Sequence, residues 1–276
     1  MARFTTSDGV GLHYTDQGGG LPLICLPGLT RCGKDFRYFA PHAGRCRMIA
    51  LDARGRGGSD HAPDYTSYNV LREAGDVLEL MDHLGLQKAA ILGTSRGGLV
   101  AMTLAATAKE RLTAVILNDI GPEIPADGMA RIMEYVGRKP AARTHAQAAI
   151  ALAGMMGEAF PAVPADRWLE EVETYYDQGP GGLELRYDPR LRDALLAQAA
   201  AGPAPDLWPL FLSLSGLPCG AIRGQNSDVL SAATFAAMQE RLPALHAVEL
   251  EGRGHVPFLD EPEAVALIHT VLDHAS

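Results

Sequence analysis

The sequence predicts an α/β fold: a mostly parallel central sheet of about eight strands flanked by helices, with a helical segment inserted after the sixth strand. Three observations carry this. Apolar runs of strand length alternate with stretches of helical apolar spacing through the first 121 positions. The strand signal then disappears from Gly121 to about Pro209 and returns after Leu217. Finally, one apolar run, Lys88 to Leu92, opens directly into Gly93-Thr94-Ser95-Arg96-Gly97, and the apolar spacing becomes helical through Leu99, Val100, Met102, Leu104 and Ala105.

Taken in order, strands are expected near 3–7, 11–16, 21–26, 46–51, 88–93 and 113–118, with the first two forming an antiparallel, hairpin-like edge. Residues 122–209 read as helices broken by Pro122, Pro125, Pro140, Pro161, Pro164, Pro180 and Pro203, with Gly179-Pro180-Gly181-Gly182 as a surface loop. After Leu217 the alternation resumes: a short strand to Gly224, a helix from near Ser231, a strand at 247–250 and a helix from Glu261 to about Leu272. The core is therefore expected to be discontinuous, 1–121 with 210–276, and the inserted 122–209 to form a helical cap.

Ser95 is the candidate nucleophile. A sharp strand-to-helix turn forces it into a strained backbone conformation, tolerated only where flanking glycines carry no side chains to collide. The hydroxyl then stands at the sheet edge, and the new helix aims its unbonded N–H groups at the point where negative charge would develop on an attacked carbonyl.

A serine hydroxyl is a poor nucleophile at neutral pH, so it needs a histidine to take its proton and a carboxylate to orient that histidine. Of nine histidines, His255 lies in the glycine-rich loop Gly252-Arg253-Gly254-His255-Val256-Pro257 between a strand and the last helix. Two carboxylates follow strands between Ser95 and His255. Asp228, in the loop Gln225-Asn226-Ser227-Asp228 at a strand end on the same sheet edge as the serine, is assigned as the acid. Asp119, which closes the strand at 113–118, is the alternative, or a turn cap beside Gly121-Pro122.

These residues resemble the α/β-hydrolase superfamily over nearly the whole chain. Leu26-Pro27-Gly28-Leu29 sits where that family usually places a His-Gly pair in the oxyanion loop, and Asp52-Ala53-Arg54-Gly55-Arg56-Gly57-Gly58-Ser59-Asp60 is similar to its Asp-x-x-Gly-x-Gly-x-Ser turn. The resemblance implies an oxyanion hole made by the backbone N–H groups of Leu29 and Arg96. Pro27 departs from the family pattern, so the hydrogen bonds of the usual imidazole are missing; a fixed φ at Pro27 and an extended Leu26 are another way to stiffen the loop. The Arg96 guanidinium is read as a polar side chain beside an essential amide. The serine separates the chain from haloalkane dehalogenases and epoxide hydrolases, which attack through a carboxylate.

The resemblance implies a serine hydrolase of small carboxylic esters, acting through an acyl-enzyme with no metal or organic cofactor; a lactonase, a carbon–carbon bond hydrolase and a non-catalytic ligand receptor are the alternatives. A net charge of -9 opposes nucleic acid or anionic membrane surfaces as partners. No run of about 18 apolar residues and no signal-peptide core is present in the sequence, so a cytoplasmic protein is expected, a monomer or a homodimer. Cys25 and Cys219 fall in strands and are expected to be reduced core residues.

Overall fold

The computed structural model describes residues 2–275. The N-terminal half lays down β1 (Ala2–Thr5), β2 (Gly11–Gly18), β3 (Leu21–Leu26), β4 (Cys46–Leu51), helix α1 (Val70–His83), β5 (Ala89–Thr94), α2 (Arg96–Thr107) and β6 (Leu112–Asn118). An excursion follows, with α3 (Ala126–Tyr135), α4 (His145–Met156), α5 (Ala165–Tyr175), the strands β7 (Tyr176–Gly179) and β8 (Gly182–Leu185), α6 (Leu191–Ala200) and α7 (Trp208–Leu212). The chain then returns through β9 (Cys219–Gly224), α8 (Ala232–Arg241), β10 (His246–Leu250) and α9 (Pro262–Asp273).

Eight strands form one sheet in the order β1-β2-β4-β3-β5-β6-β9-β10. The pairs from β4 to β10 are parallel, and β2 joins both β1 and β4 antiparallel. The central strands are buried on both faces, as their unbroken apolar runs require: β5 is buried at all six positions and β6 at all but one of seven. One face carries a core built with α1 and α2, including Val77, Leu80, Met102 and Leu104; the other packs Phe36, Phe39, Leu267 and Ile268 against Leu23, Leu92 and Ile116. Because the sheet is parallel, the C-terminal ends of β3, β5, β6, β9 and β10 lie along one edge, and the loops leaving them meet there.

Between β6 and β9 the expectation of an all-helical stretch fails in one place. Tyr176–Gly179 and Gly182–Leu185 pair antiparallel, so Gly179-Pro180-Gly181-Gly182 is the tip of a hairpin rather than a free loop. Four-residue strands are too short to show a period against the surrounding helices. The excursion has a small core of its own, Ala148, Phe160, Trp168, Val172 and Leu183, which also takes in Phe258 from the loop after β10. Its other side chains, Val136, Tyr187, Leu191 and Trp208, join the main core, so the segment is bonded into the molecule along much of its length. Near its two ends, Trp208 Nε1 donates to Glu123 Oε1 at 2.6 Å. Among the described residues, no helix is long and apolar enough to cross a membrane.

Candidate active site

Ser95 stands between β5 and α2 with φ of 51° and ψ of -116°, a left-handed conformation that costs a non-glycine residue about 1–3 kcal/mol. The geometry depends on its flanking glycines. A Cβ on Gly93 would lie 2.5 Å from the Gly97 carbonyl oxygen, and one on Gly97 would collide with the Leu26 carbonyl. The Ser95 amide is tied to the Asn118 carbonyl at 2.9 Å, which fixes the turn against the end of β6.

His255, on the loop after β10, reaches this serine: Nε2 is 2.9 Å from Ser95 Oγ. Its other ring nitrogen, Nδ1, is 2.8 Å from Oδ2 of Asp119. The carboxylate brought to the imidazole is therefore that of Asp119, and the assignment of Asp228 is corrected. The physical reason lies in the strand order. β6 lies directly beside β5, and the residue that leaves it, Asp119 with φ of 54°, turns its side chain along the sheet edge. The loop after β9 makes its own turn, Ser227 N to Gly224 O at 2.9 Å, and this presents Ser227 to the sheet edge. Asp228, one residue further on, faces Arg131 of α3 in an exposed ion pair at 2.8 Å.

Asp119 is fully buried and its acceptor sites are well used. Oδ1 accepts the Gly224 amide at 2.8 Å, and Oδ2 accepts the Ser227 hydroxyl at 2.6 Å besides facing His255. The loop holding His255 is tied to the same strand ends, since Asn118 Nδ2 donates to Pro257 O and to Thr94 Oγ1, each at 3.2 Å. The Ser95 hydroxyl, the His255 imidazole and the Asp119 carboxylate are thus held together by three strand ends and a cross-brace between them.

The Pro27 loop comes close to the serine from the β3 side: a Cβ placed on Gly28 would stand 3.8 Å from Ser95 Cβ. A turn, Arg31 N to Gly28 O at 3.1 Å, shapes it around Leu29. Arg96 is the first residue of α2, so its amide has no acceptor within the helix. Its side chain is engaged by Glu73 and the Tyr68 carbonyl, the guanidinium donating to Glu73 Oε2 at 2.7 Å and to the carbonyl at 3.2 Å, within a buried cluster that also contains Arg56. Burial alone would raise the Glu73 carboxyl, but the Arg56 and Arg96 guanidiniums outweigh it and hold the group below the usual carboxylate value.

That cluster also braces the Pro27 loop. Arg56 Nη1 is anchored by Glu73 at 2.8 Å and the Arg54 carbonyl at 2.6 Å, and its Nε donates to the Leu29 carbonyl at 2.8 Å. The Asp52–Asp60 turn delivers Arg56 to this place, with Asp52 accepting the amides of Gly33 at 2.6 Å and Gly58 at 2.8 Å. From the other side, the same loop meets α5. Arg31 is clamped by Asp35, shares Glu171 with Arg37 at 2.9 and 2.6 Å, and lies 3.4 Å over the Tyr175 ring. No sequence motif pointed to the Arg31–Glu171 pair, because its members are 140 positions apart.

The inserted segment's bulky side chains divide between packing and exposure. Phe160, Trp168, Val136 and Trp208 are core, whereas Met155 is exposed and Met129 partly so. All four cysteines are free and buried.

The model of the alpha/beta hydrolase fold family matches residues 22–155. A 3-hydroxybutyrate-oligomer hydrolase of Cupriavidus necator is 33% identical over 93% of this chain and 92% of its own length. A 2-(acetamidomethylene)succinate hydrolase of Mesorhizobium japonicum is 28% identical over 88% of this chain and 84% of its own. Among solved structures, an alpha/beta hydrolase from Novosphingobium aromaticivorans superposes with a TM-score of 0.92 at 37% identity, covering 99% of this chain and 97% of that one. By the sheet order, the serine turn and these likenesses together, the chain belongs to the α/β-hydrolase family.

Proposed function

We propose that the protein hydrolyses small carboxylic esters by acyl transfer through Ser95, with His255 as general base and acid and Asp119 as the orienting carboxylate. The observation that carries this reading is the unbroken path from Ser95 Oγ through both ring nitrogens of His255 to a buried carboxylate, at 2.9 and 2.8 Å. In the first half-reaction His255 Nε2 takes the Ser95 proton as Oγ attacks the ester carbonyl carbon. The oxyanion that forms is met by the Leu29 and Arg96 amides, preorganised donors that need no reorientation as charge develops. Collapse expels the alcohol, which receives the proton from His255, and leaves an acyl group on Ser95. Water then gives its proton to His255 and attacks the acyl carbonyl, releasing the acid and restoring the serine.

Asp119 serves both half-reactions. Its anion fixes the tautomer that leaves Nε2 free to accept a proton, and it stabilises the imidazolium formed in each attack. Every proton transferred is accounted for by Ser95, His255, the alcohol and water.

The substrate class follows from the same chemistry and from the relatives. A 3-hydroxybutyrate oligomer, named as the substrate of the Cupriavidus necator relative, is a chain of hydroxy acids joined by carboxylic ester bonds. Short esters of hydroxy acids are the first substrates to offer. The test is hydrolysis of a 3-hydroxybutyrate dimer and a p-nitrophenyl ester series by the wild type and by Ser95→Ala. Turnover present in the first and lost in the second supports the assignment, and turnover that survives the mutation refutes it.

A further inference from the structure

The geometry points to Ser227 as a positioning residue that sets the charge and orientation of Asp119, and through it the proton affinity of His255. The inference rests on the acyl-transfer reading for its effect on rate, and on geometry alone for the link to the imidazole.

A hydroxyl has one proton to donate and two lone pairs with which to accept. Both acceptor directions of Ser227 Oγ are occupied, by the Val229 amide at 3.2 Å and the Leu230 amide at 3.0 Å. The hydroxyl proton is therefore directed to the remaining neighbour, Asp119 Oδ2, 2.6 Å away. That same oxygen faces His255 Nδ1. One carboxylate oxygen thus divides its negative charge between a serine O–H and the imidazole N–H, while Oδ1 is engaged by Gly224.

The charged side chains of the surrounding loops are turned elsewhere. Asp228 pairs with Arg131, Arg223 with Glu249 and Arg253 with Glu261. Among the described residues, the groups shown meeting Asp119 through its side chain are His255, Ser227 and the Gly224 amide.

The direction of the effect follows. The Ser227 hydrogen bond draws charge from Oδ2, which weakens its hold on a protonated imidazole. Removing it leaves a more basic carboxylate beside Nδ1, so His255 keeps its proton to higher pH and is a working base over a narrower range. It also frees the carboxylate to rotate, so orientation is lost.

The experiment compares wild type, Ser227→Ala and Ser227→Thr by two readouts. In the first, the His255 Cε1–H resonance is followed against pH by NMR in the unliganded protein. The midpoint is expected to rise in Ser227→Ala by about 0.5, a fraction of what a full hydrogen bond to a charged group is worth, and to return toward the wild-type value in Ser227→Thr. In the second, kcat for ester hydrolysis is expected to fall about tenfold in Ser227→Ala with KM nearly unchanged. The acid limb of its pH profile should move upward with the NMR midpoint, and Ser227→Thr should restore both.

Should Ser227→Ala fail to fold for want of the two amide contacts, Ser227→Cys keeps a side chain in place with only a weak donor, and the same rise in midpoint is expected. An unmoved midpoint in the folded alanine or cysteine variant overturns the inference, whatever happens to the rate. Absence of ester turnover in the wild type overturns the acyl-transfer reading and leaves the NMR comparison to decide the Ser227 link.

Discussion

Exchanging Asp119 for Asn tests the corrected assignment, because the two candidate carboxylates occupy such different surroundings. Asp119 is fully buried and touches the imidazole, whereas Asp228 is one third exposed and pairs with an Arg131 side chain that is 69% exposed. When His255 is protonated in the transition state, a unit charge separation of about 4 Å at an effective dielectric constant of about 20 is worth about 4 kcal/mol, or three decades in rate. An asparagine also donates through its amide, which favours the tautomer with a proton on Nε2, the nitrogen that must accept the Ser95 proton. Asp119→Asn is therefore expected to lower kcat by about 10³ to 10⁴ with little change in KM. For Asp228→Asn, an exposed pair with Arg131 worth about 0–1 kcal/mol is lost, and kcat is expected to stay within about twofold. Steady-state kinetics on a short ester, with circular dichroism to confirm that both variants are folded, decides the matter. A larger loss in Asp228→Asn than in Asp119→Asn would refute the argument.

Two further outcomes follow from the loops around the serine. Glu171 is buried between Arg31 and Arg37, and Glu171→Gln leaves both cations short of a charge; a loss of about 3 kcal/mol is expected, seen as a Tm lower by about 6 °C. Burial would raise the Glu171 carboxyl, but Arg31, Arg37 and the Tyr175 hydroxyl outweigh it and hold the group below its usual value. The stability it contributes is therefore fully present above the unfolded-state value of about 4.3 and is lost as pH falls through the lower folded value. An acid titration that destabilises Glu171→Gln as steeply as the wild type over that range would contradict this. At the serine turn, Gly97→Ala drives a methyl group into the Leu26 carbonyl, and a loss of about 3 kcal/mol together with loss of ester turnover is expected; a stable, active variant would contradict the packing argument.

Much of this was legible in the amino-acid sequence, for reasons that differ from element to element. The buried parallel strands announce themselves because burial on both faces demands unbroken apolar runs, as in Ala89–Thr94 and Leu112–Asn118. Ser95 is legible because the turn that presents it requires glycines on either side, and His255 because it follows the glycine-rich run Gly252-Arg253-Gly254 after a strand. The carboxylate was not. Two aspartates follow strands that end on the same edge, and choosing between them needs the strand order and the direction each loop takes, which are tertiary facts. A local signal did exist: Asp119 leaves its strand immediately, whereas Asp228 lies four positions beyond the end of β9. The supports of the Pro27 loop were hidden for a similar reason. Arg56 and Glu73 are 17 positions apart, Arg31 and Glu171 are 140, and charge pairing over such distances leaves no periodic trace. The β7–β8 hairpin was lost because four-residue strands carry too few positions to display a period of two.

The most direct test of the central claim is to incubate the wild type and Ser95→Ala with a 3-hydroxybutyrate dimer and with short p-nitrophenyl esters, and to measure both acid release and the intact mass of the protein during turnover. The account predicts hydrolysis by the wild type with a transient mass increase equal to the acyl group, and neither signal in Ser95→Ala. Hydrolysis by Ser95→Ala at the wild-type rate, or an acyl group carried on a residue other than Ser95, would contradict it.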